Sequence, residues 1–291
     1  MDEQILVIDF ENTSELPNNF RTTKDCYRHK GGPPVTWSGL DQLNASAARQ
    51  FSELDLITSL NPMSGQVYIV DLRQESHGFA DGRPVSWYGL RNQSNVGKTD
   101  QQIADLEQRL VSEMASRGTI KLNGIVRKTN GRIEETSLQE IKVERPETER
   151  ELVERIGLKY VRFPVTDHQH PGGLTVDRFV DFVGSLPRDA WVHFHCRSGK
   201  GRSSTFMVLY DVFHNAGEVS LEDIIRRNVL IGSKDVSRIS DLRAKLWKNE
   251  MAKKRHAFVA AFYSYMVDPA GYGHLRWTEW LAKQGDVSLT H

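Results

Sequence analysis

Residues 191–210 constrain the fold of this chain more than any other segment. Two apolar runs, at 191–195 and 206–210, predict a buried strand and a buried helix. They flank the sequence His-Cys-Arg-Ser-Gly-Lys-Gly-Arg-Ser at 195–203, in which an arginine follows the cysteine by six positions. We therefore expect a strand, a tight loop and a helix in succession, with a thiol at the entrance of the loop. The segment 196–202 is named the Cys–Arg loop below.

The Cys–Arg loop has the composition of an anion-binding site. The backbone N–H groups of a loop that enters a helix converge on one point, where the helix N-terminus adds partial positive charge. The guanidinium of Arg202 matches two phosphate oxygens, while Arg197 and Lys200 add further positive charge. The glycines permit the backbone angles that such a turn needs. A phosphate group is predicted to bind to the loop residues Arg197, Ser198, Gly199, Lys200 and Gly201.

The cysteine of this loop is predicted to act as a nucleophile. The positive field at the helix N-terminus favours the thiolate at Cys196, and a phosphate bound in the loop would lie next to the sulfur. Ser203 can donate a hydrogen bond to that sulfur and help it leave in a second step. A buried structural cysteine is the alternative. The preceding histidine, the glycines and the strand–loop–helix context favour the catalytic interpretation.

A loop upstream of the cysteine supplies the candidate general acid. Thiolate attack on a phosphate ester leaves an alkoxide, which needs a proton. Asp167 follows a predicted strand at 160–165 and lies 29 residues before Cys196, in a loop that contains proline and glycine. A carboxylate in a surface turn is the alternative. We predict that Asp167 is the acid.

Two histidines in the same loop, His168 and His170, form only a weak metal signal. No cysteine or carboxylate cluster accompanies them. Thiolate attack on a phosphate ester requires no metal and no other cofactor. We predict that the site holds neither, and that His168 contacts phosphate.

The charge balance requires any basic site to be local. The chain has 38 basic and 38 acidic residues, so no global field favours nucleic acid or a membrane surface. The late stretch 245–256 is basic, however, and Lys248 and Arg255 are seven positions apart on one helix face. Such a run is usually a solvated face. A substrate with several phosphates would use these cations as outlying ligands.

The cysteine content and the N-terminus bear on the compartment. Two cysteines, Cys26 and Cys196, make no disulfide framework, which favours a reducing compartment and leaves open a regulatory pairing of the two thiols. The N-terminal sequence has no features of a secretory signal peptide, and no apolar run is long enough to span a membrane. We expect a cytoplasmic protein, or one exported without a recognisable Sec signal peptide. The sequence does not indicate an oligomeric state.

The order of predicted elements indicates an α/β fold. Strands are predicted at 67–70, 160–165 and 191–195. Helices are predicted to begin at the capping residues Ser52, Thr99 and Thr175. Strands that alternate with helices imply a largely parallel sheet. Residues 118–146 differ, because their short apolar runs and the Asn130-Gly131 turn predict hairpin strands of a small side domain.

Several segments are similar to the bacterial cysteine phytases, also called protein-tyrosine-phosphatase-like inositol polyphosphatases. The stretch 195–203 resembles the signature of protein-tyrosine-phosphatase-like enzymes in general. The run Asp-Leu-Arg-Gln-Glu-Ser-His-Gly-Phe at 71–79 resembles these phytases far more specifically. The other similar segments lie at 20–22, 85–89, 166–168, 190–196, 271–272, 277 and 280–281.

This resemblance implies a fold, a domain organisation and a reaction. The fold would be a three-layer α/β core of the protein-tyrosine-phosphatase type with a smaller partial β-barrel. The catalytic domain would span 18–283, with a β-rich subdomain contributed mainly by about 118–146, after an N-terminal extension at 1–17. The enzyme would be a phosphoric monoester hydrolase that acts stepwise on myo-inositol polyphosphates such as phytate through a phosphocysteine intermediate.

The resemblance also implies roles for particular residues. Cys196 would be the nucleophile, Arg202 the phosphate clamp, and Asp167 the acid and later the base for water. The distal phosphates of a small-molecule polyphosphate would be bound by basic residues near the positions of Arg21, His168, Lys248 and Arg255.

Two other functions remain open. Arg197 and Lys200 make the loop similar to that of phosphatases acting on 3-phosphoinositide lipids, so a phosphoinositide or phosphotyrosine phosphatase, such as a bacterial effector, is the first alternative. The second is a pseudophosphatase that only binds phosphorylated partners. Such proteins typically lack the cysteine, the arginine or the acid, and all three are present here.

Overall fold

The computed structural model describes residues 4–28, 35–239 and 246–285. The strands are β1 (Ile5–Ile8), β2 (Arg21–Thr22), β3 (Ala45–Arg49), β4 (Val67–Arg73), β5 (His77–Ala80), β6 (Arg83–Tyr88), β7 (Thr119–Thr129), β8 (Arg132–Lys142), β9 (Pro146–Glu147), β10 (Lys159–Val165) and β11 (Trp191–Cys196). The α-helices are α1 (Glu53–Ser59), α2 (Asp100–Arg117), α3 (Glu149–Arg155), α4 (Gly173–Ser185), α5 (Gly201–Asn215), α6 (Leu221–Leu230), α7 (Leu246–Val267) and α8 (Trp277–Gln284).

A five-stranded sheet forms the centre of a three-layer core. Its order is β10-β4-β11-β3-β2, with parallel pairing except for the short antiparallel edge strand β2. Side chains of α4, α5, α7 and α8 pack on one face, and those of α1 and α3 pack on the other. All six residues of β11 are buried, as expected for a central strand covered on both faces. The predicted α/β core with a largely parallel sheet is confirmed.

The parallel strands bring their carboxyl ends to one edge of this sheet. β4 ends at Arg73, β10 ends at Val165 and β11 ends at Cys196. Ligand sites of open α/β sheets lie beyond these strand ends. The polar segments that follow the three strands are therefore neighbours in space although they are far apart in the sequence.

A second sheet has six strands in the order β8-β7-β1-β6-β5-β9. The predicted hairpin is present as β7 and β8, and its turn residues Asn130 and Gly131 both have positive φ, at 51° and 85°. The sheet extends well beyond 118–146, and it includes β1 from the segment predicted as an N-terminal extension. In the described part of the chain its outer strands β8 and β9 do not pair with each other, so the sheet is open rather than a closed barrel.

The helix starts follow the capping chemistry of the sequence, with one correction. Ser52 and Thr99 each form a capping box at the predicted starts of α1 and α2. Thr175 does not cap α4, because that helix already begins at Gly173 after the N-cap Gly172. The N–H of Thr175 donates to the carbonyl of Gly172, which places Thr175 in the first turn. Across the described ranges, no helix is long and apolar enough to cross a membrane.

Candidate active site

The Cys–Arg loop connects β11 to α5, as predicted. Gly199 has φ of +69°, and a Cβ there would lie 2.3 Å from the backbone nitrogen of Arg49 at the end of β3. Only glycine fits this close approach. The side chain of Asn19 donates to the Ser198 carbonyl at 2.9 Å, and the N–H of Gln50 donates to the Arg197 carbonyl at 3.3 Å. The backbone of the loop is therefore held from the side of β3.

Arg21 lies beneath this loop and is only 2% exposed. Its guanidinium donates to the carbonyls of Asn19 and Gly199 at 2.8 and 2.9 Å, and to the hydroxyls of Ser204 and Ser233 at 3.0 and 2.8 Å. Burial lowers the pKa of Arg21 to about 10, so it remains cationic at neutral pH. Because four of its five N–H donors are used inside the protein, this placement favours support of the loop over the predicted contact with substrate.

Arg202 is held by a carboxylate from the segment after β4. Its Nη1 and Nη2 atoms donate to the two oxygens of Glu75 at 2.6 and 2.9 Å, and both side chains are 2% exposed. Burial would raise the pKa of Glu75, but the guanidinium groups of Arg202 and Arg73 hold it well below its usual range. The Nε of Arg202 is buried and makes no hydrogen bond with a described residue. That donor remains available to a phosphate oxygen.

The predicted acid lies next to this arginine. An oxygen of Asp167 is 3.3 Å from Nη2 of Arg202, and the side chain of Asp167 is 28% exposed. The next residue, His168, has φ of +71°, which is uncommon for a residue with a side chain. Its N–H donates to Asp167 at 3.0 Å, and its ring meets the edge of Trp247 in α7 at 5.0 Å. The loop thus places Asp167 at the cavity while contacts on both sides fix its neighbour.

Cys196 is the last residue of β11, and Ser203 lies in the first turn of α5. The two side chains make no hydrogen bond with each other. Cys196 is 2% exposed and lines the cavity described next. The hydroxyl of Ser203 is buried, and within the described ranges it has no hydrogen-bond partner. The predicted bond from Ser203 to the sulfur is therefore absent from this structure. The side chain of Cys26 lies outside the described side chains, so a pairing of the two thiols stays open.

A strongly basic cavity of about 410 Å³ opens above the loop. Among the described residues that line it, Asp167 is the single carboxylate, against seven lysines and arginines. The structure brings His168, Lys248 and Arg255 to this cavity, as predicted. The other predicted residues that line it are Cys196, Arg197, Ser198, Lys200 and Gly201. Three further cations, which sequence reasoning missed, are Lys128, Lys234 and Arg238.

The positively charged side chains of the cavity repel one another. The pKa of Lys234 is lowered by burial and by the neighbouring Arg255, Lys248 and Lys200. The pKa of Lys128 is lowered by burial and then by Arg197. Like charges held this close disfavour their own ionised forms. A bound polyanion would relieve that repulsion, so the electrostatics favour a ligand with several negative charges.

A buried cluster beneath the loop has the residue types of a metal site. Ligand atoms of Asp71, Glu149 and His195 lie within 4.8 Å of one another. These carboxylates already have partners, however: Nε of Arg162 is 2.9 Å from Asp71, and Nε2 of His195 is 2.6 Å from Glu149. We interpret the cluster as a charge network that supports β4 and β11. His168 does not belong to it.

Fold and site together define an α/β protein with a cysteine–arginine loop beside a basic cavity at the carboxyl edge of its parallel sheet. Comparison with known proteins shows the family to which the chain belongs. Residues 70–214 match the family of PTP-like phytases, whose description names inositol hexakisphosphate. The chain is 35% identical to the PTP-like phytase of Bdellovibrio bacteriovorus, and the match covers 96% of this chain and 95% of that structure with a TM-score of 0.72. The chain therefore belongs to the PTP-like phytase family.

Two longer relatives match almost the whole chain. The PTP-like myo-inositol phosphatase of Mitsuokella multacida, solved in complex with myo-inositol-(1,3,4,5)-tetrakisphosphate, is 34% identical, with a TM-score of 0.89 over 98% of this chain and 48% of that chain. The effector protein hopD2 of Pseudomonas syringae pv. tomato is 28% identical over 274 residues, which cover 91% of this chain and 56% of that protein. The chain thus spans only about half the length of each of these two relatives.

Proposed function

We propose that the protein is a phosphoric monoester hydrolase that removes phosphates stepwise from myo-inositol polyphosphates through a phosphocysteine intermediate. The observation that carries the proposal is the cavity, where Cys196 and Asp167 lie among seven lysines and arginines. Family membership supports the reaction class, and the ligand of the Mitsuokella structure supports the substrate class.

In the first step the Cys196 thiolate attacks the phosphorus atom. The bond from phosphorus to the ester oxygen breaks, and Asp167 donates its proton to the departing alkoxide. Backbone N–H groups of residues 197–202 and the free Nε of Arg202 stabilise the charge on the equatorial phosphate oxygens. The products of this step are the free alcohol and a phosphocysteine.

In the second step a water molecule attacks the phosphorus of the phosphocysteine. Asp167, now ionised, accepts a proton from the water, and the bond from phosphorus to sulfur breaks. Ser203 carries a buried hydroxyl without a partner in the described part of the chain, and it can donate to the departing sulfur. Inorganic phosphate leaves, and the Cys196 thiolate is restored.

The arrangement of cations favours a compact polyphosphate. Lys128 comes from the hairpin strand β7, Lys248 and Arg255 come from α7, and Lys234 and Arg238 come from the segment after α6. The nucleophile is thus surrounded by positive charge from three directions. A cyclitol with phosphates around its ring can contact all three groups at once, whereas a phosphomonoester with one phosphate cannot.

Replacement of the acid should slow the reaction in a way that depends on the leaving group. Asp167→Asn is expected to lower kcat for inositol hexakisphosphate by about 10²- to 10⁴-fold, because an inositol alkoxide leaves poorly without a proton. The loss should be smaller with p-nitrophenyl phosphate, whose phenolate leaves unaided. Steady-state phosphate release measures both. Asp181→Asn makes the same substitution at an exposed position on α4 and serves as the control. Equal losses with both substrates in Asp167→Asn would contradict the role of Asp167.

A substrate panel tests the proposed substrate class against the alternative. The second candidate is a phosphoinositide or phosphotyrosine phosphatase that acts as a bacterial effector, and the hopD2 relative, an effector protein, supports the effector part of it. We expect kcat/KM for inositol hexakisphosphate to exceed that for phosphotyrosyl peptides and for short-chain phosphatidylinositol 3-phosphate by at least about tenfold, since each additional charge-assisted contact strengthens binding. Product isomers resolved by ion chromatography would give the order of phosphate removal. A preference for phosphopeptides would overturn the argument from the cavity.

A further inference from the structure

A buried ion pair connects the six-stranded sheet to the Cys–Arg loop. Asp9, which directly follows β1, accepts a hydrogen bond from Nε of Arg197 at 2.8 Å. The side chain of Asp9 is fully buried, and its backbone N–H donates to the carbonyl of Pro84 at 2.9 Å. The position of Arg197 is therefore set by a residue 188 positions earlier, directly after a strand of the other sheet.

The guanidinium of Arg197 is fixed on two sides. Nε is engaged by Asp9, and the guanidinium carbon lies 5.5 Å from the centre of the Tyr88 ring. The Tyr88 hydroxyl donates to the carbonyl of Gly131 at 2.9 Å, which holds that ring in place. Arg197 lines the cavity, and among the described residues its side chain forms a hydrogen bond through Nε, not through either Nη atom. Two such terminal nitrogens form a fork that matches two oxygens of one phosphate.

The environment of Asp9 keeps its charge. Burial would raise the pKa of this carboxyl, but the guanidinium groups of Arg197 and Arg73 lower it below its usual value. Asp9 also accepts from Arg73 at 3.0 Å and from the Ser86 hydroxyl. Its negative charge offsets part of the repulsion between Arg197 and Lys128 on the same wall of the cavity.

We propose that Asp9 is a positioning residue for substrate recognition: it holds Arg197 so that its two Nη atoms bind a second phosphate, adjacent to the one that Cys196 attacks. The ligand class is a polyol with phosphates on neighbouring carbons, and the inference rests on the proposed function. An arginine side chain that is already ordered loses less conformational entropy on binding. A monophosphate ester has no group for this fork and gains nothing from it.

Kinetics of single and double variants test the proposal. Arg197→Ala and Asp9→Asn should each raise KM for inositol hexakisphosphate by about tenfold, the loss of a charge-assisted bidentate contact. The ratio of kcat/KM for inositol hexakisphosphate to that for p-nitrophenyl phosphate should fall in parallel. If Asp9 acts through Arg197, the double variant should be no worse than Arg197→Ala alone. Arg197→Lys retains the charge without the fork, so it should recover only part of the ratio.

Two controls separate this role from a structural one. Ser86→Ala removes a hydroxyl that accepts from Arg73 and donates to Oδ2 of Asp9, whereas Nε of Arg197 bonds to the other oxygen, Oδ1, and keeps that partner. Arg188→Ala removes an exposed arginine just before β11, at the opposite end of the strand from the Cys–Arg loop. Neither should change the substrate ratio. Thermal unfolding monitors the fold, and if Asp9→Asn does not fold, the Arg197 variants still decide the issue.

Three outcomes would overturn the proposal. Equal losses with both substrates would mean that Asp9 acts through Arg73 and the catalytic arginine instead. An unchanged ratio in Arg197→Ala, with a wild-type protein that hydrolyses inositol hexakisphosphate, would refute the inference and leave the proposed function intact. A wild-type protein that does not hydrolyse inositol hexakisphosphate at all would refute both.

Discussion

Cys196→Ser is expected to reduce phosphate release from inositol hexakisphosphate by at least about 10⁴-fold while the substrate still binds. A serine hydroxyl is un-ionised at neutral pH, and the nearest carboxyl group of the cavity, Asp167, is assigned to the leaving group. The exchange is nearly isosteric at a site that is 2% exposed, so the fold and the cations of the cavity should remain. The variant should therefore capture the substrate without turning it over.

Phosphate release from inositol hexakisphosphate measures turnover by the variant, and isothermal titration calorimetry with the same compound measures binding. Cys26→Ser makes the same exchange at the second cysteine and should leave both unchanged. Retention of more than about a hundredth of wild-type turnover by Cys196→Ser would contradict nucleophilic catalysis by the thiolate. Loss of binding together with turnover would point instead to collapse of the loop.

Local sequence was sufficient to predict the Cys–Arg loop and its surroundings. The strand, the glycines and the helix that shape the loop all lie within 191–210. Cys196 and Arg202 are at the two ends of one short loop, so their spacing can be recognised in the sequence. The hairpin turn and the helix starts at Ser52 and Thr99 were predictable for the same reason, because turn residues and capping boxes involve neighbours in sequence. The placement of Lys248 and Arg255 followed from helical periodicity, which puts both on one face.

The residues that sequence reasoning missed depend on tertiary contacts. Asp9 meets Arg197 across 188 positions, and Glu75 meets Arg202 across 127 positions, so no local pattern marks either pair. The position of Arg21 also depends on tertiary contacts that the sequence does not show. The resemblance implied that Arg21 binds a distal phosphate, but the pairing of β2 with β3 directs it beneath the loop, where four protein acceptors already use its donors.

Arg202→Lys is expected to lower kcat/KM for every substrate by about 10³-fold, because a lysine cannot satisfy Glu75 and the phosphate at the same time. In the present arrangement Nη1 and Nη2 bond to both oxygens of Glu75, and Nε is left for phosphate. An ammonium group would follow the buried carboxylate and withdraw from the ligand. Glu75→Gln changes the other member of the pair. It leaves the guanidinium groups of Arg202 and Arg73 facing a neutral amide, so we expect the free energy of unfolding to fall by about 3–5 kcal/mol.

Arg227 provides a matched control for this pair. It is fully buried and binds Asp211 through two nitrogens, as Arg202 binds Glu75, but it connects α6 to α5 away from the cavity. Arg227→Lys should therefore lower the thermal stability and leave kcat/KM within about threefold of the wild type, as expected for a substitution far from the reacting atoms. Comparison of unfolding temperature with kcat/KM separates the two effects. If Arg202→Lys lost no more activity than Arg227→Lys, the guanidinium fork would serve only the fold, and catalysis would depend on the backbone of the loop and the distal cations.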